Sequence, residues 1–210
     1  MAARPWTGLA RRLAEQGWAA FSIDYRLAPP SPFPAAFDDV QTAIRWVRGH
    51  ARSLQVDRTR VALFGASAGA NLALLAATRG RGPLDRGTRV RAVVSWSGPT
   101  DLTSFVRETT NRYATSVTRA YLGCAPASCP TRYADASPTT FVDHTDPPAL
   151  LVNSTHEIVP LQQARELVRR LAAANVPNRL IVLAGSRHAI GYLQAAWGPT
   201  LRFLARRLGH

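Results

Sequence analysis

Lysine is missing from this sequence of 210 residues, methionine occurs once and cysteine only twice. No run of apolar residues reaches the length of about 18 to 20 needed to cross a bilayer, which excludes a spanning helix on sequence grounds. Met1 to Arg12 holds no long apolar stretch either, so the sequence as it stands reads as cytoplasmic; secretion would require a signal peptide upstream of it. The two cysteines, Cys124 and Cys129, have a spacing that suits neither a zinc knuckle nor a Cys-x-x-Cys redox pair. Two readings stay open for them. One is a local disulfide, which implies an oxidising compartment and stabilises by roughly 2 kcal/mol for so small a loop; the other is two free thiols.

Acidic residues are also scarce: 13 against 26 basic ones, a formal net charge of +13. Such a field normally recruits polyanions. Every basic side chain here is an arginine, however, and they are scattered over amphipathic segments such as Arg11-Arg12, Arg45, Arg48, Arg169-Arg170 and Arg206-Arg207. No aromatic residues interleave them into a stripe, so they read as a solvated outer face and nucleic acid is not expected as a partner. With 46% hydrophobic and 19% charged residues the composition is that of an ordinary globular chain. Its length suits a single domain over residues 1–210.

Apolar spacing predicts a helix from Gly8 to Gln16 stopped by Gly17, a strand over Trp18 to Ile23, a proline-rich loop from Ala28 to Pro34 and a helix from Ala35 to Ala51. A strand at Val61 to Phe64, a helix from Ala68 to Thr78 and a strand at Val90 to Trp96 follow. Residues 101–146 are polar and punctuated by proline, which suggests an irregular lid-like excursion. The pattern then resumes with a strand at Ala149 to Asn153, a helix from Leu161 to Ala174, a strand at Arg179 to Ala184 and a closing helix from Ile190 to Leu208. Such alternation implies the α/β class, a mostly parallel sheet with helices on both faces.

Gly65-Ala66-Ser67-Ala68-Gly69 lies directly between an apolar strand and a helix, the context in which Gly-x-Ser-x-Gly presents a nucleophile. A serine at so sharp a turn is strained, and the residues two before and two after it crowd together, so glycine is expected to be needed at both flanks. The hydroxyl of Ser67 then sits at a helix N-terminus, where the N–H of Ala68 is the natural first donor to a developing oxyanion. A hydroxyl needs a base, and His188, just past a late strand, is placed to be one. His50 at a helix end, His144 in a polar loop and His210 at the terminus are not.

These residues, with Asp24-Tyr25-Arg26-Leu27-Ala28-Pro29, Pro32-Phe33-Pro34-Ala35-Ala36, Gly65 to Leu72 and Ser97-Gly98-Pro99-Thr100-Asp101-Leu102, resemble the α/β-hydrolase fold-3 group of hormone-sensitive-lipase-like carboxylesterases. The resemblance covers nearly the whole chain. It implies an α/β-hydrolase fold and a structural role for Asp24 and Arg26. It also implies a chain shortened at its N-terminus, because the group's first strands and its His-Gly-Gly-Gly oxyanion loop have no counterpart here. A missing donor of that kind costs about 10²- to 10³-fold in rate. The absent strand would leave a gap in the sheet, or make the strands at Trp18 to Ile23 and Val61 to Phe64 pair directly.

The group carries its triad acid in a Gly-Thr-x-Asp-x-x-Val-Pro-like stretch, which reads Asn153-Ser154-Thr155-His156-Glu157-Ile158-Val159-Pro160 here. His156 stands at the aspartate position and cannot supply an anion. Glu157 either substitutes for it, its longer side chain reaching His188, or is an exposed glutamate beside a broken triad. The resemblance thus implies hydrolysis of a small carboxylic ester through an acyl-enzyme, with Ser67 attacking, His188 shuttling the proton, Ala68 N–H holding the oxyanion and Glu157 orienting His188. The alternative is an impaired or inactive homologue. Neither a metal nor an organic cofactor is required, the partner is a small-molecule ester, and nothing in the sequence speaks to oligomeric state.

Overall fold

The computed structural model describes residues 4–209, with side chains from residue 7. Its elements run α1 (Arg4–Ala14), α2 (Ala35–Gly49), β1 (Ala62–Ala66), α3 (Ala68–Thr78), β2 (Ala92–Trp96), α4 (Leu102–Glu108), α5 (Arg112–Leu122), α6 (Pro130–Asp135), β3 (Ala149–Ser154), α7 (Leu161–Ala173), β4 (Asn178–Leu183) and α8 (Leu193–Leu208). The strands form one sheet in the order β1-β2-β3-β4, all parallel. Register aligns Ala66, Trp96, Val152 and Ile181 across it.

Side chains alternate across a strand, and both faces are covered. On one face Leu63, Val93, Leu151 and Leu180 pack with α2, α3 and α7. On the other, Phe64, Val94, Trp96, Leu150, Val152 and Ile181 pack with Phe203 and Leu204 of α8 and with Leu13 of α1. Helix α3 is buried from Ala70 to Thr78, which is why it lacks the polar stripe of a surface helix. Helix α8 is fixed to the sheet by a hydrogen bond from Trp96 Nε1 to Thr200 Oγ1 (3.2 Å).

Three expectations fail. Residues 18–27 form no strand, and Phe21, Ile23 and Leu27 are exposed. A strand persists only where a ladder satisfies its backbone, and among the described residues none pairs with this run or separates it from β1. The sheet therefore neither keeps a gap nor pairs this run directly with β1. Phe21 packs edge-on against Trp46 and Trp18 joins the α8-side core instead.

The excursion over residues 101–146 is helical rather than irregular. Helix α4 is capped by Asp101, α5 begins at Asn111 and ends at Gly123 in the left-handed region, and α6 opens on Pro130. Leu102, Phe105, Leu122, Tyr133 and Ala136 give it a small core. Cys124 and Cys129 are joined as a disulfide between α5 and α6, which closes one of the alternatives left open by their spacing.

Arg48, grouped above with the solvated arginines, is 4% exposed. Its guanidinium donates to the carbonyls of Arg58 (3.0 Å), Gly87 and Arg89 (2.5 Å), stapling the two loops that precede β1 and β2 at the amino edge of the sheet, and burial lowers its pKa. Arg26, by contrast, pairs with Asp39 at 2.8 Å and its backbone N–H donates to the same carboxylate, in keeping with a structural role.

Replacing both Cys124 and Cys129 with serine is expected to lower stability by about 2 kcal/mol, or roughly 4 to 8 °C in Tm for a chain of this size. Thermal unfolding of the two proteins side by side checks this; an unchanged Tm would show that the crosslink contributes nothing.

Candidate active site

Ser67 is the single residue between β1 and α3, with φ 52° and ψ −123°. A non-glycine residue there costs about 1 to 3 kcal/mol and persists only where its surroundings hold it. The hold is visible. Ser67 N–H donates to Trp96 O on β2 (2.8 Å), and Ser67 O accepts from the N–H groups of Ala70 and Asn71 in the first turn of α3 (3.0 and 3.1 Å). Asn71 then donates through its side chain to Pro99 O (3.0 Å) and Ala136 O (3.2 Å), tying that turn to the excursion. Ala68, exposed in the first turn of α3, has an N–H that no carbonyl within the helix can accept, so it faces outward beside the serine.

Only one of the two flanking glycines is required by space. A Cβ on Gly65 would collide with the carbonyl of Gly69, whereas a Cβ on Gly69 would meet nothing within 4 Å. The crowding expected at both flanks is thus one-sided: the strand residue must be bare for the helix backbone to pass over it.

Glu157 and His188 are brought together. Glu157 Oε2 lies 2.5 Å from His188 Nδ1, with the glutamate side chain fully buried and the histidine 22% exposed. The second carboxylate oxygen, Oε1, accepts from Ser154 N–H (2.6 Å). His156, at the family's aspartate position, is exposed, and its ring meets its neighbour Thr155 Oγ1 through Nδ1 (2.9 Å). Glu157 is therefore not the exposed glutamate of the second alternative left by the sequence: its side chain is buried against the imidazole.

The loops carrying this pair are sewn to each other. Thr155 N–H donates to Leu183 O (2.9 Å), His156 N–H to Gly185 O (3.0 Å) and Ser154 Oγ to Arg187 O (2.6 Å). Within the acid loop, Asn153 Nδ2 donates to Ser154 O (3.1 Å) and Val159 O (3.0 Å).

Ser67 and His188 leave the same edge of the sheet. No hydrogen bond joins Ser67 Oγ to His188 among the described residues. Their backbones are nonetheless fixed to consecutive residues: Ser67 N–H to Trp96 O (2.8 Å), and Ala189 N–H to Ser97 Oγ (2.9 Å). With Nδ1 committed to Glu157, Nε2 is the ring nitrogen left for a hydroxyl partner. Sequence reasoning passed over Ser97 and Tyr192, whose hydroxyls are 2.6 Å apart, although Ser97 stood in a quoted family motif. His50 bonds Trp46 O at its helix end and His144 is exposed; His210 lies outside the described residues. Among the described residues no group of three or more His, Cys, Asp or Glu could hold a metal ion, and no helix is long and apolar enough to cross a membrane.

The family model described as BD-FAE matches residues 3–171. Esterase LipC of Mycobacterium tuberculosis is 34% identical over 204 residues, covering 92% of this chain and 51% of that protein. The probable carboxylic ester hydrolase LipM of the same organism is 30% identical over 196 residues, covering 90% and 46%. This chain therefore spans about half the length of these curated relatives. An acetyl ester-xyloside bifunctional hydrolase from Caldicellulosiruptor lactoaceticus superposes with a TM-score of 0.82 over 96% of this chain and 76% of that one. At 24% identity that likeness shows the fold alone.

The steric asymmetry at the elbow is testable by thermal unfolding. Gly65→Ala is expected to lose roughly 1 to 3 kcal/mol, as overpacking does, while Gly69→Ala is expected to be neutral or to gain up to about 1 kcal/mol from helix propensity. Equal losses at both positions would refute it.

Proposed function

Since the chain belongs to the BD-FAE family and has the α/β-hydrolase fold, we propose that it hydrolyses small carboxylic esters through an acyl-enzyme formed on Ser67. The observation that carries this reading is the buried Glu157–His188 pair, set on the same sheet edge as a strained serine. The names of the relatives, esterase and carboxylic ester hydrolase, support the reaction class.

The carboxylate of Glu157 accepts the Nδ1 proton and fixes the tautomer in which His188 Nε2 carries a lone pair. As Ser67 Oγ attacks the ester carbonyl, Nε2 takes its proton, and Glu157 stabilises the imidazolium that results. Ala68 N–H, at the positive end of α3, donates to the oxyanion. His188 then returns the proton to the departing alcohol, and water repeats the cycle on the acyl-serine. Ala68 N–H is the oxyanion donor that these residues supply in this reading. Hydroxyl and imidazole must approach for the first step. The anchors at Trp96 and Ser97, consecutive residues at the end of β2, hold the serine and the start of the histidine loop to one place on the sheet edge.

A fluorophosphonate probe should label the chain, and Ser67→Ala should abolish the labelling. A folded wild-type protein that stays unlabelled, in the presence of a labelled control esterase, would sink the proposal. Glu157→Gln should lower kcat for a short-chain nitrophenyl ester by about 10²- to 10⁴-fold, because an amide nitrogen facing Nδ1 imposes the wrong tautomer. Turnover equal to wild type would remove Glu157 from the mechanism.

A further inference from the structure

Among the described residues, three of the five non-glycine residues with positive φ meet at one place: Ser67 (52°), Ser97 (54°) and Ala189 (52°). Ser97 is the link between the other two. It follows Trp96, whose carbonyl receives Ser67 N–H, and its own Oγ receives Ala189 N–H, one residue past His188. Ser97 is 0% exposed, and its N–H donates to Val152 O on β3 (2.9 Å).

The direction of the hydroxyl proton follows from its neighbours. Tyr192 Oη donates to Val152 O (2.9 Å), so its lone pairs are left to accept from Ser97 Oγ at 2.6 Å. Ser97 Oγ in turn accepts from Ala189. One chain of hydrogen bonds therefore runs from the histidine loop through Ser97 and Tyr192 to the strand bearing the acid loop. Tyr192 is 2% exposed; burial, and then the charge of Glu157, raise its pKa, which keeps the phenol a donor. The effect of the Ser97 hydroxyl is to fix where the histidine loop begins its turn.

We infer that Ser97 is a positioning residue, which sets the imidazole of His188 against Ser67 by holding Ala189 N–H to the end of β2. The inference rests on the reading of Ser67 and His188 given above. It assigns no chemistry to Ser97: the residue touches neither substrate nor the reacting atoms, and acts through the backbone of its partner.

Ser97→Ala removes the hydroxyl while leaving an L-residue at the same φ, so backbone strain is unchanged. It should lower kcat about 10- to 100-fold with KM little altered, the cost expected when a catalytic group is displaced by about an ångström. The low-field proton resonance of His188 Nδ1, assigned by its loss in His188→Gln, should move or broaden in the same variant. Tyr192→Phe leaves Ser97 Oγ available to Ala189 and should lose clearly less activity than Ser97→Ala; equal losses would overturn the inference, as would unchanged kcat and resonance in Ser97→Ala. In wild-type protein Ala189 N–H should exchange at least about 10²-fold more slowly than an open amide, and unprotected exchange would also overturn it. Absence of Ser67-dependent turnover in the wild type would sink the hydrolase reading alone, since the resonance still decides whether Ser97 places the imidazole.

Discussion

The parallel direction of all four strands is the constraint on which the candidate site depends. In a parallel sheet every strand ends at the same edge, so the residues following β1, β2, β3 and β4 emerge together however far apart they lie in sequence. Register makes this sharper: Ala66, Trp96, Val152 and Ile181 are aligned, and each stands within a few residues of the loop it feeds. Ser67 and His188, 121 positions apart in the sequence, emerge at the same edge because the strands before them both end there. An antiparallel neighbour would have sent one of them to the opposite end.

Much of this was legible because it is written locally. Strand β1, the serine and helix α3 are adjacent in sequence, and the change from an apolar run to a helix at Ala68 is unambiguous. The α/β alternation follows from the same local signals. Features decided by a distant neighbour were not legible. The run from Trp18 to Ile23 has a strand's composition, but composition does not provide a ladder partner. Arg48 looks like any other arginine of a helix until two loops close over it. The excursion helices do carry signals that went unread: Asp101, Asn111, Gly123 and Pro130 all stand at helix boundaries. Apolar periodicity was the weaker guide there, because α5 buries only Thr118 and Leu122.

Strain and burial are coupled at this edge. Ser67, Ser97 and Ala189 each hold a backbone conformation costing about 1 to 3 kcal/mol. Each is pinned by a hydrogen bond to a buried residue at the end of the sheet: Ser67 to Trp96, Ser97 to Val152 and Ala189 to Ser97, which are 0, 1 and 0% exposed. The bare Gly65 lets α3 pass close enough to complete the turn. Rigidity of this kind suits a site whose groups must be placed to within a fraction of an ångström.

In the proposed reading, the acid position shows how a local departure from a family pattern can be absorbed by geometry. His156 is the residue at the aspartate position, yet it faces solvent, so an aspartate put back there without changing the loop would point away from His188. Glu157, one residue later, points inward, and its additional methylene adds about 1.5 Å of reach. An aspartate at 157 would therefore fall short of Nδ1 by about the length that makes the present contact possible. Both carboxylate oxygens of Glu157 are engaged, one with Ser154 N–H and one with the imidazole, so the longer side chain is no freer than a short one would be. The extra rotatable bond would otherwise make glutamate a looser orienter than aspartate. Here the bond from Ser154 removes that freedom, and the change of residue and the shift of position work as a single substitution.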